Sequence, residues 1–194
     1  MSVSLSKGQQ VRLRRSTGEA MTLVRMGLGW QAVPKRGLFG SKPRQIDLDA
    51  SALLYTDRVP TDVVFFKHLV SNDGSVRHAG DSRVGGAVAG GDDESIVVDL
   101  SRIPARITQL VFTVSSYGGQ PFTELAAAHC RLVDEFGGQE LARYELAGGG
   151  AHTGQIMAKV YREPDGDGWA MQAIGAVAQA RTFQDMLPAI APFL

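Results

Sequence analysis

The chain has 194 residues, 44% of them hydrophobic, and its 20 lysines and arginines balance 20 aspartates and glutamates, so its formal net charge is zero. A balanced chain offers no bulk electrostatic case for nucleic acid or a membrane surface, a single cysteine excludes an internal disulfide framework, and no stretch approaches the roughly 18 continuous apolar residues of a transmembrane helix. The length suits a single domain, 1–194, able to bury its own core.

Residues 1–7 lack the charged and then apolar pattern of a secretory leader, and a lone cysteine fits a reducing compartment, so a cytoplasmic location is expected. Residues 10–44 then carry Arg12, Arg14, Arg15, Arg25, Lys35, Arg36, Lys42 and Arg44 against Glu19 alone. This basic tract is read as a solvated mixed-charge surface or as a device that steers anions. Within it, residues 34–43, rich in basic residues and Gly, are expected as a disordered loop.

Acidic clusters follow directly. In a strand over 45–55, Asp47, Asp49 and Ser51 face one way and Ile46, Leu48, Ala50 and Ala52 the other. Strands disfavour Asp, and two on one face repel unless something neutralises them. The next clusters are Asn72-Asp73-Gly74-Ser75 running on to Gly80-Asp81, and Gly90-Gly91-Asp92-Asp93-Glu94. Asp73 also reads as a hairpin turn residue. Asp92 and Asp93 are adjacent, so in a strand they would point to opposite faces; in a Gly-led loop they diverge less and are able to feed two neighbouring ions. If folding brings the clusters together, the carboxylates need a cation in order to coexist. Oxygen-only ligands, nearly all of them short Asp side chains, suit a hard cation, and calcium more than magnesium. Asp47-x-Asp49-x-Ser51 also opens an EF-hand loop, but Ala52 stands where its glycine belongs and Arg58 where its bidentate Glu belongs, so there is no EF-hand.

The rest of the chain keeps a period of two. Residues 95–100 align Ile96, Val98 and Leu100; residues 107–114 align Leu110, Phe112 and Val114 opposite Gln109 and Thr113. Residues 120–129, opened by Pro121, read as a short helix near 121–129 leading into a strand at 130–133. Residues 139–147 align Ala142, Tyr144 and Leu146, and residues 155–161 align Ile156, Ala158 and Val160. Gly-rich turns separate these segments, at 73–74, 85–86, 90–91, 118–119, 137–138, 148–150 and 165–168. A last amphipathic helix near 182–191 places Phe183, Met186, Leu187 and Ile190 on one side, with Pro188 and Pro192 expected to break or bend it. Short strands between glycine turns predict an all-β fold, a two-sheet β-sandwich with short helices.

Other reactive residues form no recognisable site. His68, His78, His129 and His152 lack zinc-ligand spacing. His129 and Cys130 are neighbours in a strand and so face opposite sides, which predicts a buried, inert Cys130. Residues 115–119 make neither a nucleophile elbow nor a phosphate loop. Trp30 and Trp169 are expected in the core or at its rim.

The acidic stretches also resemble the TerD-type tellurite-resistance and stress-response family of bacteria. The resemblance runs through Val3-Ser4-Leu5-Ser6-Lys7-Gly8-Gln9, Gly27-Leu28-Gly29-Trp30, Asp47-Leu48-Asp49-Ala50-Ser51, residues 73–81, Gly91-Asp92-Asp93-Glu94 and Ala142-Arg143-Tyr144-Glu145-Leu146, in family order and over essentially the whole chain. It implies a compact β-sandwich, one or two calcium ions held by Asp47, Asp49, Asp73, Asp81, Asp92, Asp93 and Glu94, and a role in resistance to tellurite and other stress without catalysis. The chain departs from the family in three places. Phe65-Phe66 is followed by Lys67-His68 where the family usually has an amide side chain, which removes an oxygen ligand and brings in a positive charge. The loop 31–44 is longer and more basic than the family's usual link. The 80–91 tract carries Val84, Ala87, Val88 and Ala89, so backbone carbonyls are expected to supply more of the coordination there.

The resulting expectation is a non-enzymatic calcium-binding module whose ordered loops recruit protein partners in a stress-response assembly, with no nucleic acid. The alternatives are a metal-dependent phosphoester hydrolase using the same carboxylates and an anion or membrane-surface adaptor working through the basic 10–44 region.

Overall fold

The computed structural model describes residues 7–33, 35–37, 40–42, 46–83, 85–86, 91–146, 150–164 and 168–194. Its strands are β1 (Gln10–Arg12), β2 (Leu23–Ala32), β3 (Lys35–Gly37), β4 (Gly40–Lys42), β5 (Leu48–Thr56), β6 (Val59–Val64) and β7 (Val76–His78). They continue as β8 (Glu94–Asp99), β9 (Gln109–Ser116), β10 (Leu125–Asp134), β11 (Glu140–Glu145), β12 (Gly154–Arg162) and β13 (Trp169–Ala178), followed by the helix α1 (Phe183–Ile190). One antiparallel sheet has the order β1-β13-β12-β9-β5-β6 and the second β11-β10-β2-β8-β7.

The inner faces of the two sheets bury one apolar cluster. Leu48, Ala50, Ala52 and Leu54 of β5 and Leu110, Phe112 and Val114 of β9 meet Leu28 and Trp30 of β2 and Ile96 and Val98 of β8. This is the alternation expected from the sequence. The outer face of the larger sheet is also apolar over part of its length, where Leu53, Tyr55, Val111 and Ile174 receive Met186 and Ile190 of α1. Asp185 stabilises the start of α1 by accepting the backbone N–H groups of Arg181 and Thr182 at 2.9 and 3.0 Å. Basic side chains hold its far end: Arg58 Nη2 donates to Ala191 O at 2.9 Å and Lys159 Nζ to Phe193 O at 2.6 Å. Pro188 lies inside this helix without ending it, since α1 runs to Ile190 before a 3₁₀ turn over Ala191–Phe193.

Three sequence readings change. The helix expected near 121–129 shrinks to a single 3₁₀ turn, Phe122–Glu124, and β10 begins at Leu125. There β10 pairs along β2, from Leu125 opposite Ala32 to Asp134 opposite Val24, so a long ladder overrides the local helix preference of an alanine run. A register shift between Leu125 and Ala127 sets the buried Leu125 and Ala128 three residues apart, a spacing that imitates a helix. In β12 a similar irregularity between Ile156 and Ala158 turns Ile156 outward under α1 while Ala158 and Val160 stay in the sandwich core, so these three do not share one face. The basic segment expected as a disordered loop contains the paired strands β3 and β4; the rest of 34–45, like the turn residues 147–149 and 165–167, lies outside the described residues.

Cys130 is buried, and burial pushes its thiol far above the ordinary range, as an inert core residue requires. Both tryptophans are buried, and Trp30 Nε1 donates to Ile46 O at 2.7 Å. Among the described residues, no helix is long and apolar enough to cross a membrane.

Candidate metal centre

The site forms where β6 stops pairing with β5. The ladder between them ends at Val64 opposite Ala52, so the backbone of β5 before Ala52 has no strand on that side. The Ala50 N–H turns instead to a carboxylate, donating to Glu94 Oε2 at 2.9 Å. Glu94 opens β8 and shares the inward face with Ile96 and Val98, which is why its side chain is buried. Its other oxygen, Oε1, accepts the Ser82 N–H at 3.1 Å. One buried carboxylate therefore ties the start of β5 to the loop that carries Asp81. His78 stands behind it: the Gly80 N–H donates to Nδ1 at 3.1 Å, which leaves the ring proton on Nε2, 3.4 Å from Glu94 Oε2.

This clamp brings three aspartates together. Asp47, Asp49 and Asp81 each offer a carboxylate oxygen, and these oxygens lie within 4.8 Å of one another. At that separation each pair of ionised carboxylates repels by roughly 3 kcal/mol for an effective dielectric of about 20. Asp49 and Asp47 carry the mark of burial and of that crowding. Burial, and then the charges of Glu94, Asp47 and Asp81, push the Asp49 carboxyl up to about 7 against the smaller opposing pull of Lys67. Burial raises Asp47 as well, followed by Asp81 and Glu94, with Arg83 opposing. Asp47 Oδ1 is buried with no hydrogen-bond donor. An oxygen-only set, one buried oxygen of which has no hydrogen-bond donor, fits a hard divalent cation that would neutralise it.

The other acids expected at the site have different work. Asp73 Oδ1 accepts the Ser75 N–H at 2.8 Å and the Ser71 hydroxyl at 3.0 Å. Although burial would raise it, these bonds and the charge of Arg106 hold it below the usual carboxylate range. It shapes the turn at 71–75, and the cluster of three does not include it. Asp92 receives the Arg131 guanidinium at 2.7 and 3.1 Å and also pairs with Arg25, with His129 Nε2 at 3.6 Å. Burial works against it, but these partners hold it well below the ordinary range. It sits on Gly27, where a Cβ would come within 2.3 Å of its carboxylate, and so pins the 91–93 segment across β2. Asp93, expected to act beside Asp92 at a neighbouring ion, has a different partner: its Oδ2 accepts the Trp30 N–H at 2.9 Å. Asp73, Asp92, Asp93 and Glu94 thus hold the scaffold of a site built from Asp47, Asp49 and Asp81. Of the 80–91 tract, where backbone carbonyls were expected to add to the coordination, residues 84 and 87–90 lie outside the described residues.

Two roles escaped the sequence reading. Glu94 as a clamp was signalled by its parity with Ile96 and Val98. The seating of Asp92 on Arg25 and Arg131 had no local signal, because the partners are 67 and 39 residues away. Among the described side chains of the basic tract, Arg12 meets Glu163 at 2.8 Å, Arg15 meets Asp134 at 3.2 Å, and Arg25 meets Glu135 at 2.8 Å.

With this geometry in place, comparison with known proteins gives a consistent answer. The model of the TerD domain matches residues 1–188. Tellurium resistance protein TerZ of Serratia marcescens is 41% identical over 188 residues, covering 95% of this chain and 94% of that protein. Stress response protein SCP2 of Bacillus subtilis (strain 168) is 34% identical over 200 residues, covering 96% and 98%. The crystal structure of a homologue of telluride resistance protein (TerD) from Streptomyces coelicolor A3(2) superposes with a TM-score of 0.72 over 87% of this chain and 96% of that one; at 18% identity, this likeness bears on the fold alone. Matched along almost its full length by the domain model and by relatives above 30% identity, the chain belongs to the TerD family.

Proposed function

We propose that this chain is a non-enzymatic calcium-binding module of the tellurium-resistance and stress-response type, in which the cation is held by Asp47, Asp49 and Asp81. The observation that carries the reading is the convergence of these three carboxylates within 4.8 Å, from two separate stretches of chain. Calcium tolerates six to eight oxygens at loose angles, so three aspartates from a strand and a loop leave room for carbonyl or water ligands. Magnesium, with its strict octahedron and tightly held waters, suits such a set less well. The ion would remove the mutual repulsion, lock the Asp81 loop against β5, and thereby order a surface that recruits protein partners. Relatives named for tellurium resistance and stress response supply the setting, and a buried lone cysteine suits the cytoplasm.

The test is thermal unfolding in chelator, calcium and magnesium. Calcium at about 100 times its Kd stabilises by roughly 2.7 kcal/mol, a rise of about 5–10 °C in Tm for a chain this long. Magnesium at the same concentration should give a smaller rise, and Asp49→Asn should abolish the calcium effect. An unchanged Tm at millimolar calcium would overturn the proposal.

A further inference from the structure

Beyond the Phe183 end of α1, the outer face of the larger sheet changes character. Where α1 covers it, the sheet presents Leu53, Tyr55 and Val111; past the helix it presents Asp49, Ser51 and Ser115, all buried although polar. Asp49 and Ser115 are direct cross-strand partners. Over this polar floor stand partly exposed aromatic rings: Phe65 against Phe183 with centroids 4.9 Å apart, and Phe66 edge-on to Tyr117 at 5.8 Å. Floor and walls enclose a cavity of about 230 Å³. At about 30 Å³ per water, that is room for roughly eight waters, or one small ring with a polar group. Apolar walls with a few convergent polar groups are the usual make-up of a small-ligand site.

Lys67 gives the cavity its charge preference. It occupies the tip of the tight turn closed by the reciprocal backbone bonds of Phe65 and His68, with its ammonium 5.1 Å from the centre of the Phe66 ring. A positive charge beside a cation site opposes the cation. It is favourable only where a negative group shares the space.

We infer that this cavity binds a small ligand with a flat apolar body and an oxyanion, held by the aromatic rings, by Lys67 and by the cation at Asp49. The inference rests on the calcium reading, because Asp49 both lines the cavity and belongs to the carboxylate cluster. The metal-free aspartates repel an anion, and a bound cation reverses that sign. Carboxylate and phosphate share the required chemistry, so benzoate and phenyl phosphate are the two probes, with acetate as the probe that lacks a ring.

The experiment is NMR titration of the isotope-labelled full chain with each probe, in chelator and in saturating calcium, alongside calcium calorimetry. Expected are saturable shifts at Phe66, Ser115 and Tyr117 with benzoate or phenyl phosphate, affinity on the order of tenfold weaker without calcium, and much weaker binding of acetate. Whichever of the two aryl probes binds more tightly identifies the oxyanion. Lys67→Met, at an exposed turn, should weaken the probe roughly three- to fivefold while calcium binding stays equal or tightens. Normal calcium binding with no response to either aryl probe overturns this inference alone. So does probe binding indifferent to calcium or to Lys67→Met, or acetate binding as tightly as benzoate. Absence of calcium binding in the calorimeter overturns the inference together with the reading beneath it.

Discussion

Replacing Asp49 by Asn tests the crowding of the carboxylates without any metal present. In the folded, metal-free protein the Asp49 carboxyl titrates at about 7, against 3.8 for an ordinary Asp. Between those values the folded chain keeps a proton that the unfolded chain has released, so stability falls as pH rises from about 4 to about 7. A gap of about three pH units at 1.36 kcal/mol each sets an upper limit of roughly 4 kcal/mol. Asp47 is shifted in the same direction; Asp73 and Asp92 are shifted the opposite way, and their contribution is complete once pH exceeds the unfolded value. Comparing wild type with Asp49→Asn isolates the one group. The buried Trp30 and Trp169 report unfolding by fluorescence, so urea titrations in chelator at pH 4, 5.5, 7 and 8 give the difference directly. The two proteins should be nearly equal at pH 4, with Asp49→Asn becoming more stable by roughly 2–4 kcal/mol at pH 8. Calcium at about 1,000 times its Kd stabilises the wild type by roughly 4 kcal/mol and should close or reverse that gap at pH 8. A difference that does not vary with pH, or wild type being the more stable at pH 8 in chelator, would refute the reasoning.

Further outcomes follow from the same geometry. Glu94→Gln leaves either the buried Ala50 N–H or the part-buried Ser82 N–H facing an amide donor, so it should cost about 1–3 kcal/mol in denaturant unfolding and weaken calcium in calorimetry by loosening Asp81 from β5. Asp92→Asn leaves Arg25 and Arg131 without their shared anion; it should lower stability by roughly 2–3 kcal/mol, while leaving calcium affinity within a few-fold in the folded protein. Gly27→Ala drives a methyl to within 2.3 Å of the Asp92 carboxylate and should cost about 1–3 kcal/mol, measured by the shift of the urea midpoint.

Much of this architecture was legible because it depends on local parity. The alternation in β5, β8 and β9 places their inner faces correctly, and the same parity puts Asp47 and Asp49 together on the outside of β5. Ile156 was misread because β12 carries an inserted residue relative to β9, which reverses the faces, and nothing in the residue types announces a bulge. The alanine run before Cys130 was misread because a strand partner far away in sequence, Gln31 and Trp30 opposite Ala127 and Ala128, outweighs helix propensity. The acidic residues show the same division. Composition said that this chain gathers carboxylates, but only the fold separates those that face one another from Asp92, which answers two arginines, and from Asp73, which answers two serines.

Calorimetric titration of calcium into the chelated full chain, repeated on Asp81→Asn, tests the proposed ligation most directly. Ligation by Asp47, Asp49 and Asp81 predicts a saturable isotherm with one or two ions per wild-type chain, and the loss of at least one of them in the variant. No heat of binding at millimolar calcium, or an unchanged isotherm in Asp81→Asn, would contradict it.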